Sequence, residues 1–145
     1  MSEQIEIKLK EKFSESIIEV KDIFGILNFY IKSEAILDIG SYLHNELGFD
    51  YLADITSVDW KDKIEVVYQF TALKDNIKIA LRAYLDRNKP EIESLVSIWK
   101  GADFQERESY DLMGVIFKNH PDLRRILLPD DWEGYPLRKD YVIPN

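Results

Sequence analysis

The sequence predicts an α+β fold in which an antiparallel sheet is covered by helices and followed by an extended C-terminal arm. Three observations predict it. Ile64, Val66, Tyr68 and Phe70, and then Ile77, Ile79, Leu81, Ala83 and Leu85, recur with period two, the mark of strands with one buried face. Ile36, Ile39, Leu43 and Leu47 recur with helical spacing. Four of the five prolines fall in residues 117–145, where no periodicity is sustained.

The elements follow in order. Ile5, Leu9 and Phe13 stand at i, i+4 and i+8 and give a first amphipathic helix. Residues 16–21 and 26–31 read as strands around a turn at Gly25. Ser33 is the expected N-cap of the next helix, with Glu34 in its first turn and Gly48 as its stop. Residues 51–58 form a β-branched and aromatic strand, and the hairpin behind it turns at Lys74-Asp75-Asn76. In the strand after that turn, Lys78 and Arg82 point away from the apolar face. Pro90 opens an expected helix with Ile92, Leu95, Val96 and Trp99 as its buried stripe and Gly101 as its end. A short helix at 103–112 completes the body. The chain thus divides into a body, 1–116, and an arm, 117–145.

At 145 residues the chain supports one domain with a substantial core. Its net charge of −8 repels nucleic acid and anionic lipid, so neither is an expected partner. The absence of cysteine removes disulfides, thiolate metal sites, iron–sulfur ligation and cysteine nucleophiles together. No apolar run is long enough to span a bilayer, and the N-terminal residues alternate charge with apolar groups unlike the core of a signal peptide. There is no GxGxxG, P-loop, HExxH or EF-hand spacing, so catalytic, cofactor-binding and metal-binding residues are all expected to be absent.

Two features carry the functional reading. Glu106, Glu108 and Asp111 share one helix and admit an acid/base site of a hydrolase. Arg107, four residues from both Asp103 and Asp111, instead favours an ion-pair ladder, with Glu106 and Glu108 facing the arm or a partner. The arm gathers Arg124, Arg125, Arg138 and Lys139 among Leu123, Ile126, Leu127, Leu128, Trp132, Tyr135 and Tyr141. It either folds back over its own sheet or lies across another protein, where arginine and aromatic residues serve as anchors. His120, next to Pro121, caps a turn or touches a partner.

The run Glu106-Arg107-Glu108-Ser109-Tyr110-Asp111-Leu112-Met113-Gly114 resembles the ERE-x-x-D signature helix of the 30-kDa subunit of NADH-quinone oxidoreductase, respiratory complex I. The stretch HPDLRRILLPDDWEGYPLRKDY at 120–141 resembles the same family's C-terminal signature, and 54–59 and 98–102 agree with it. The resemblance, from about residue 43 to 141, implies a membrane-extrinsic subunit on the cytoplasmic side that binds no flavin, cluster or quinone. It implies packing against the hydrogenase-like large subunit beside the path to quinone, with iron–sulfur subunits as neighbours. Iron–sulfur clusters, with FMN as a further candidate, then belong to other chains, as do electron transfer and proton translocation. Glu106, Arg107, Glu108, Asp111, His120, Arg124, Arg125, Trp132, Arg138, Lys139 and Asp140 become its signature or interface residues. The same module occurs in F420H2 dehydrogenases, chloroplast-type NAD(P)H dehydrogenases and energy-converting membrane hydrogenases, which leaves donor and acceptor open. A free-standing hydrolase using Glu106 and Glu108 is the reading from another class, and a stand-alone homodimeric adaptor is a third.

Overall fold

A computed structural model describes residues 2–143; the last two positions of the expected arm lie outside the described residues. Helix α1 (Ser2–Lys12) leads into the hairpin β1 (Ile17–Ile23) and β2 (Ile26–Ile31). A 3₁₀ turn at Ser33–Ala35 precedes α2 (Ile36–Asn45). Then come β3 (Tyr51–Asp59), β4 (Lys63–Ala72) and β5 (Ile77–Asp86), the short β6 (Glu91–Glu93), α3 (Ala102–Met113) and β7 (Ile116–Lys118).

Five strands form one sheet in the order β1-β2-β5-β4-β3. Three of its pairings are antiparallel, as the alternation predicts, whereas β2 and β5 run parallel because the chain crosses through α2 before entering β3. The register aligns Ile64 with Leu85, Val66 with Ala83, Tyr68 with Leu81 and Phe70 with Ile79, so one face is continuously apolar. Phe29 and Ile31 extend it on β2, and Ile36, Ile39, Leu43, Ile5 and Leu9 of the helices cover it. These side chains are almost wholly removed from water, each contributing about 1.5–3 kcal/mol by burial.

Two expected details are corrected. Ser33 caps nothing: its hydroxyl lies 3.5 Å from Glu34, and neither the 3₁₀ turn nor α2 has a side-chain N-cap bond. Pro90 does not open a helix. Ile92 is drawn instead into a two-stranded parallel sheet, β6 with β7, opposite Phe117. Leu95 and Trp99 still share a face through a single turn, closed by the Trp99 N–H on the Leu95 carbonyl at 2.9 Å. Trp99 then packs on Phe70 at 5.0 Å between ring centroids and donates its indole N–H to the Phe49 carbonyl. A stripe at three- and four-residue spacing is buried either way, and long-range pairing decides the backbone. The 116/117 division falls inside β7.

Candidate functional site

Helix α3 packs along β3 on the apolar side of the sheet, where the Ser57 and Ser109 hydroxyls are hydrogen-bonded. It ends at Gly114, whose φ of +80° closes the C-terminus with an N–H bond to the Tyr110 carbonyl. From this helix and the end of β3 the arm is tied down at four points.

The first is Asp111, completely buried. One carboxylate oxygen accepts from Arg125 Nη1 at 2.8 Å, and the other accepts the N–H groups of Ile126, Leu127 and Leu128 at 3.1, 2.7 and 3.0 Å. Arg125 also donates to the carbonyls of Asp111, Trp132 and Gly134, which bends the arm around its guanidinium. Burial pushes the Asp111 carboxyl up, but Arg125 and three N–H donors outweigh it and hold the group below the usual carboxylate range.

The second is Asp59, buried at the end of β3. It takes the backbone N–H groups of Lys139 and Lys61, each at 2.8 Å, and pairs with Arg87, which also reaches Asp140 at 3.1 Å. Here too desolvation is overcome by these donors, and the pKa falls from 3.8 to about 2.

The third joins the last turn of α3 to the arm. The Leu137 N–H reaches the Leu112 carbonyl at 2.9 Å, and Arg138 Nε reaches the Met113 carbonyl at 2.7 Å. The Tyr135 ring lies against the guanidinium groups of Arg125 and Arg138, 5.1 and 5.3 Å from its centroid. A Cβ on Gly114 would stand 2.8 Å from Tyr135 and 2.9 Å from Arg138, so the close approach requires glycine.

The fourth is the root of the arm. The His120 side chain is fully enclosed, with Nε2 2.9 Å from Asp103 Oδ1 and 4.0 Å from Glu106 Oε1. Nδ1 accepts the Asp122 N–H at 2.9 Å, which leaves the ring proton of the neutral form on Nε2. Glu106 accepts from the Ser94 hydroxyl at 2.6 Å and the Leu95 N–H at 2.7 Å. Burial nevertheless raises its pKa from 4.5 to about 7, against those two hydrogen bonds and with Asp103 adding to the rise.

The structure corrects the ladder. Arg107 bridges neither Asp103 nor Asp111; its Nε reaches the Arg124 carbonyl at 3.3 Å and its guanidinium lies over Phe104. Asp111 is claimed by Arg125 and Asp103 by His120. Glu106 points into the core beside His120 at the root of the arm, whereas Glu108 is exposed, so the two carboxylates share no pocket of the kind a paired acid/base site needs. Arg125 and Arg138 face inward, while Arg124 is exposed beside Asp122. Lys139 is anchored by its backbone N–H, and Trp132 is exposed on the arm's outer side. Asp59, Arg87 and Ser94 are structurally central; Asp59 closes the 54–59 run that shares the family resemblance, whereas no sequence motif marks Arg87 or Ser94.

Arg125, Arg138 and several backbone N–H groups of the arm are therefore turned inward, while Asp122, Arg124, Asp130, Asp131, Glu133, Lys139 and Asp140 stay exposed. The arm's outer side also shows Leu127 and Leu137, 60% and 59% exposed, with Trp132, Val142 and Ile143. Among the described residues no group of three or more His, Asp or Glu side chains could hold a metal ion, and no helix is long and apolar enough to cross a membrane.

An α+β body with a strapped C-terminal arm defines the class of module. Residues 29–145 match the family model of the respiratory-chain NADH dehydrogenase 30-kDa subunit. An NADH-quinone oxidoreductase subunit of Geotalea uraniireducens is 43% identical over 94% of this chain and 85% of its own length. A chloroplastic NAD(P)H-quinone oxidoreductase subunit of Physcomitrium patens is 44% identical over 86% of this chain and 76% of its own. A trypsin-resistant fragment of Nqo5 superposes with a TM-score of 0.72 and 28% identity, covering 82% of this chain and 98% of the fragment. A chain of the membrane-bound sulfane sulfur reductase, an archaeal respiratory membrane complex, superposes at 0.83 with 26% identity over 98% of this chain and 86% of its own. The chain belongs to the complex I 30-kDa subunit family.

Proposed function

We propose that this chain is a cofactor-free subunit of a proton-translocating NADH-quinone oxidoreductase, where it braces the hydrogenase-like large subunit beside the quinone path on the cytoplasmic side of the membrane. The observation that carries the reading is the group of large apolar side chains that the tied-down arm leaves exposed. Arg125, Arg138 and several backbone N–H groups are used against Asp59, Asp111 and the end of α3, while Leu127, Trp132, Leu137, Val142 and Ile143 are left exposed. A surface of that kind gains from burial against a partner. The identity to NADH-quinone oxidoreductase subunits supports the donor and acceptor. The likeness to a chain of a sulfane sulfur reductase keeps a second reading open, the equivalent subunit of a respiratory membrane complex with another donor or acceptor, of the F420H2 dehydrogenase or energy-converting hydrogenase kind.

Recovery of the complex from native membranes tests this. Leu127→Asp with Leu137→Asp should leave the purified chain folded, since both side chains are exposed, while recovery with iron–sulfur subunits falls at least tenfold. The isolated chain should be colourless and should not oxidise NADH. Normal recovery of the double variant, or stoichiometric iron or flavin in the isolated chain, would overturn the reading.

A further inference from the structure

The face of the sheet away from the helices carries a groove of about 490 Å³. Its rim is made by three large apolar residues from three separate places: Phe24 in the β1–β2 turn, Tyr51 at the start of β3, and Leu73 after β4. Ala53, Ala80 and Thr71 lie between them. We infer that this groove is a second docking surface, separate from the arm, and that it takes an acidic and apolar segment of a partner polypeptide; the inference rests on the chain acting as a subunit.

Phe24 is the first reason. Both central residues of its turn have positive φ, +53° at Phe24 and +83° at Gly25, a conformation suited to Asn-Gly and unfavourable for a bulky aromatic. Its side chain is fully exposed, so no burial within this chain offsets that cost. Burial of that ring against another surface would offset it. The rim is also held in place before any partner arrives. The Gly25 N–H is fixed by Asp22 Oδ1 at 2.8 Å, and the Leu73 N–H by Asp50 Oδ1 at 3.0 Å. Anchors already ordered lose little freedom on binding.

Charge supplies the second reason and selects the occupant. The chain has 27 acidic residues and a net charge of −8, yet no carboxylate is among the lining residues of this groove, and those of Asp22 and Asp50 beside its rim accept the Gly25 and Leu73 N–H groups. Two cations line it. Arg82 is held by Asn28 at 2.8 Å and Glu65 at 3.2 Å, while Lys78 is exposed at the groove. Apolar anchors beside an exposed cation fit a segment that brings both apolar side chains and a carboxylate. A second copy of this acidic chain would meet its own charge over most of its surface.

The test places a photo-crosslinking p-benzoylphenylalanine at position 24 of the full chain, assembled in native membranes, with position 18 on β1 as an exposed control. The expected product is a link from position 24 to a mapped segment of another subunit bearing carboxylates and apolar side chains. Lys78→Glu should reduce it at least fivefold, and position 18 should not give it. If the complex forms but position 24 stays unlinked, or links to a second copy of this chain or to lipid, the inference is wrong and the proposed function stands. If the wild-type chain is recovered alone, both fall.

Discussion

The Asp111 carboxylate and the Arg125 guanidinium meet at 2.8 Å, with Asp111 fully buried and the Arg125 side chain only 9% exposed. The pair joins positions 14 apart in sequence, one in α3 and one in the arm, and the same carboxylate orders three backbone N–H groups. Asp111→Ala would strand a buried guanidinium and those donors, and should cost about 3 kcal/mol or more. Chemical denaturation reads the loss, and faster amide exchange at 126–128 reads the loosened arm.

Asp59 should make stability acid-sensitive. Its folded pKa, about 2, lies below the ordinary 3.8, so its contribution is present above pH 4 and is lost as pH falls toward 2. Allowing for solvent screening near the arm, the contribution is on the order of 1 kcal/mol. Denaturation of the wild type and of Asp59→Asn between pH 6 and 2 should give curves that converge at the acid end.

Glu106 should act in the opposite sense. Its folded pKa of about 7 lies above the ordinary 4.5, so the folded state favours the proton and stability declines as pH rises from about 4.5 through 7. Glu106→Gln removes that dependence. Its stability relative to wild type should improve by up to about 3 kcal/mol between pH 5 and pH 8. A pH-independent difference would mean that Glu106 stays ionised throughout.

Gly114→Ala should be far more harmful than Gly48→Ala. Both glycines have positive φ, +80° and +78°, but a Cβ meets Tyr135 and Arg138 at the first and nothing within 4 Å at the second. Gly48→Ala should cost about 1 kcal/mol from backbone conformation alone. At Gly114 the arm must also shift, so the melting temperature should fall further and proteolysis within 118–141 should accelerate.

Arg107→Ala should change stability by less than about 1 kcal/mol, because its contacts are a 3.3 Å bond and an exposed ring. A large loss on thermal melting would restore the ladder.

The sheet was legible because alternation is a local signal: each of β4 and β5 reports its buried face in its own residues. The helix expected after Pro90 failed because Ile92 is captured by Phe117, 25 residues away, and no local pattern announces that pairing. The ladder failed for the same reason. Helical spacing offered Arg107 to Asp111, yet the arm returns Arg125 to it. Lys139 reaches Asp59 across 80 residues, beyond any window of periodicity. The arm's mix of arginines and apolar residues was visible in the sequence, but not that Arg125 and Arg138 would turn inward while Leu127 and Leu137 stay exposed.

Carbene footprinting of the free chain and of the chain in its native complex tests most directly whether those exposed side chains meet a partner. The expected result is strong labelling of Leu127, Leu137 and Val142 in the free chain and its loss on assembly, with the buried Phe117 unlabelled in both. Unchanged labelling of those three side chains in the assembled complex would contradict the account, since the arm's apolar side would then face water and not a partner.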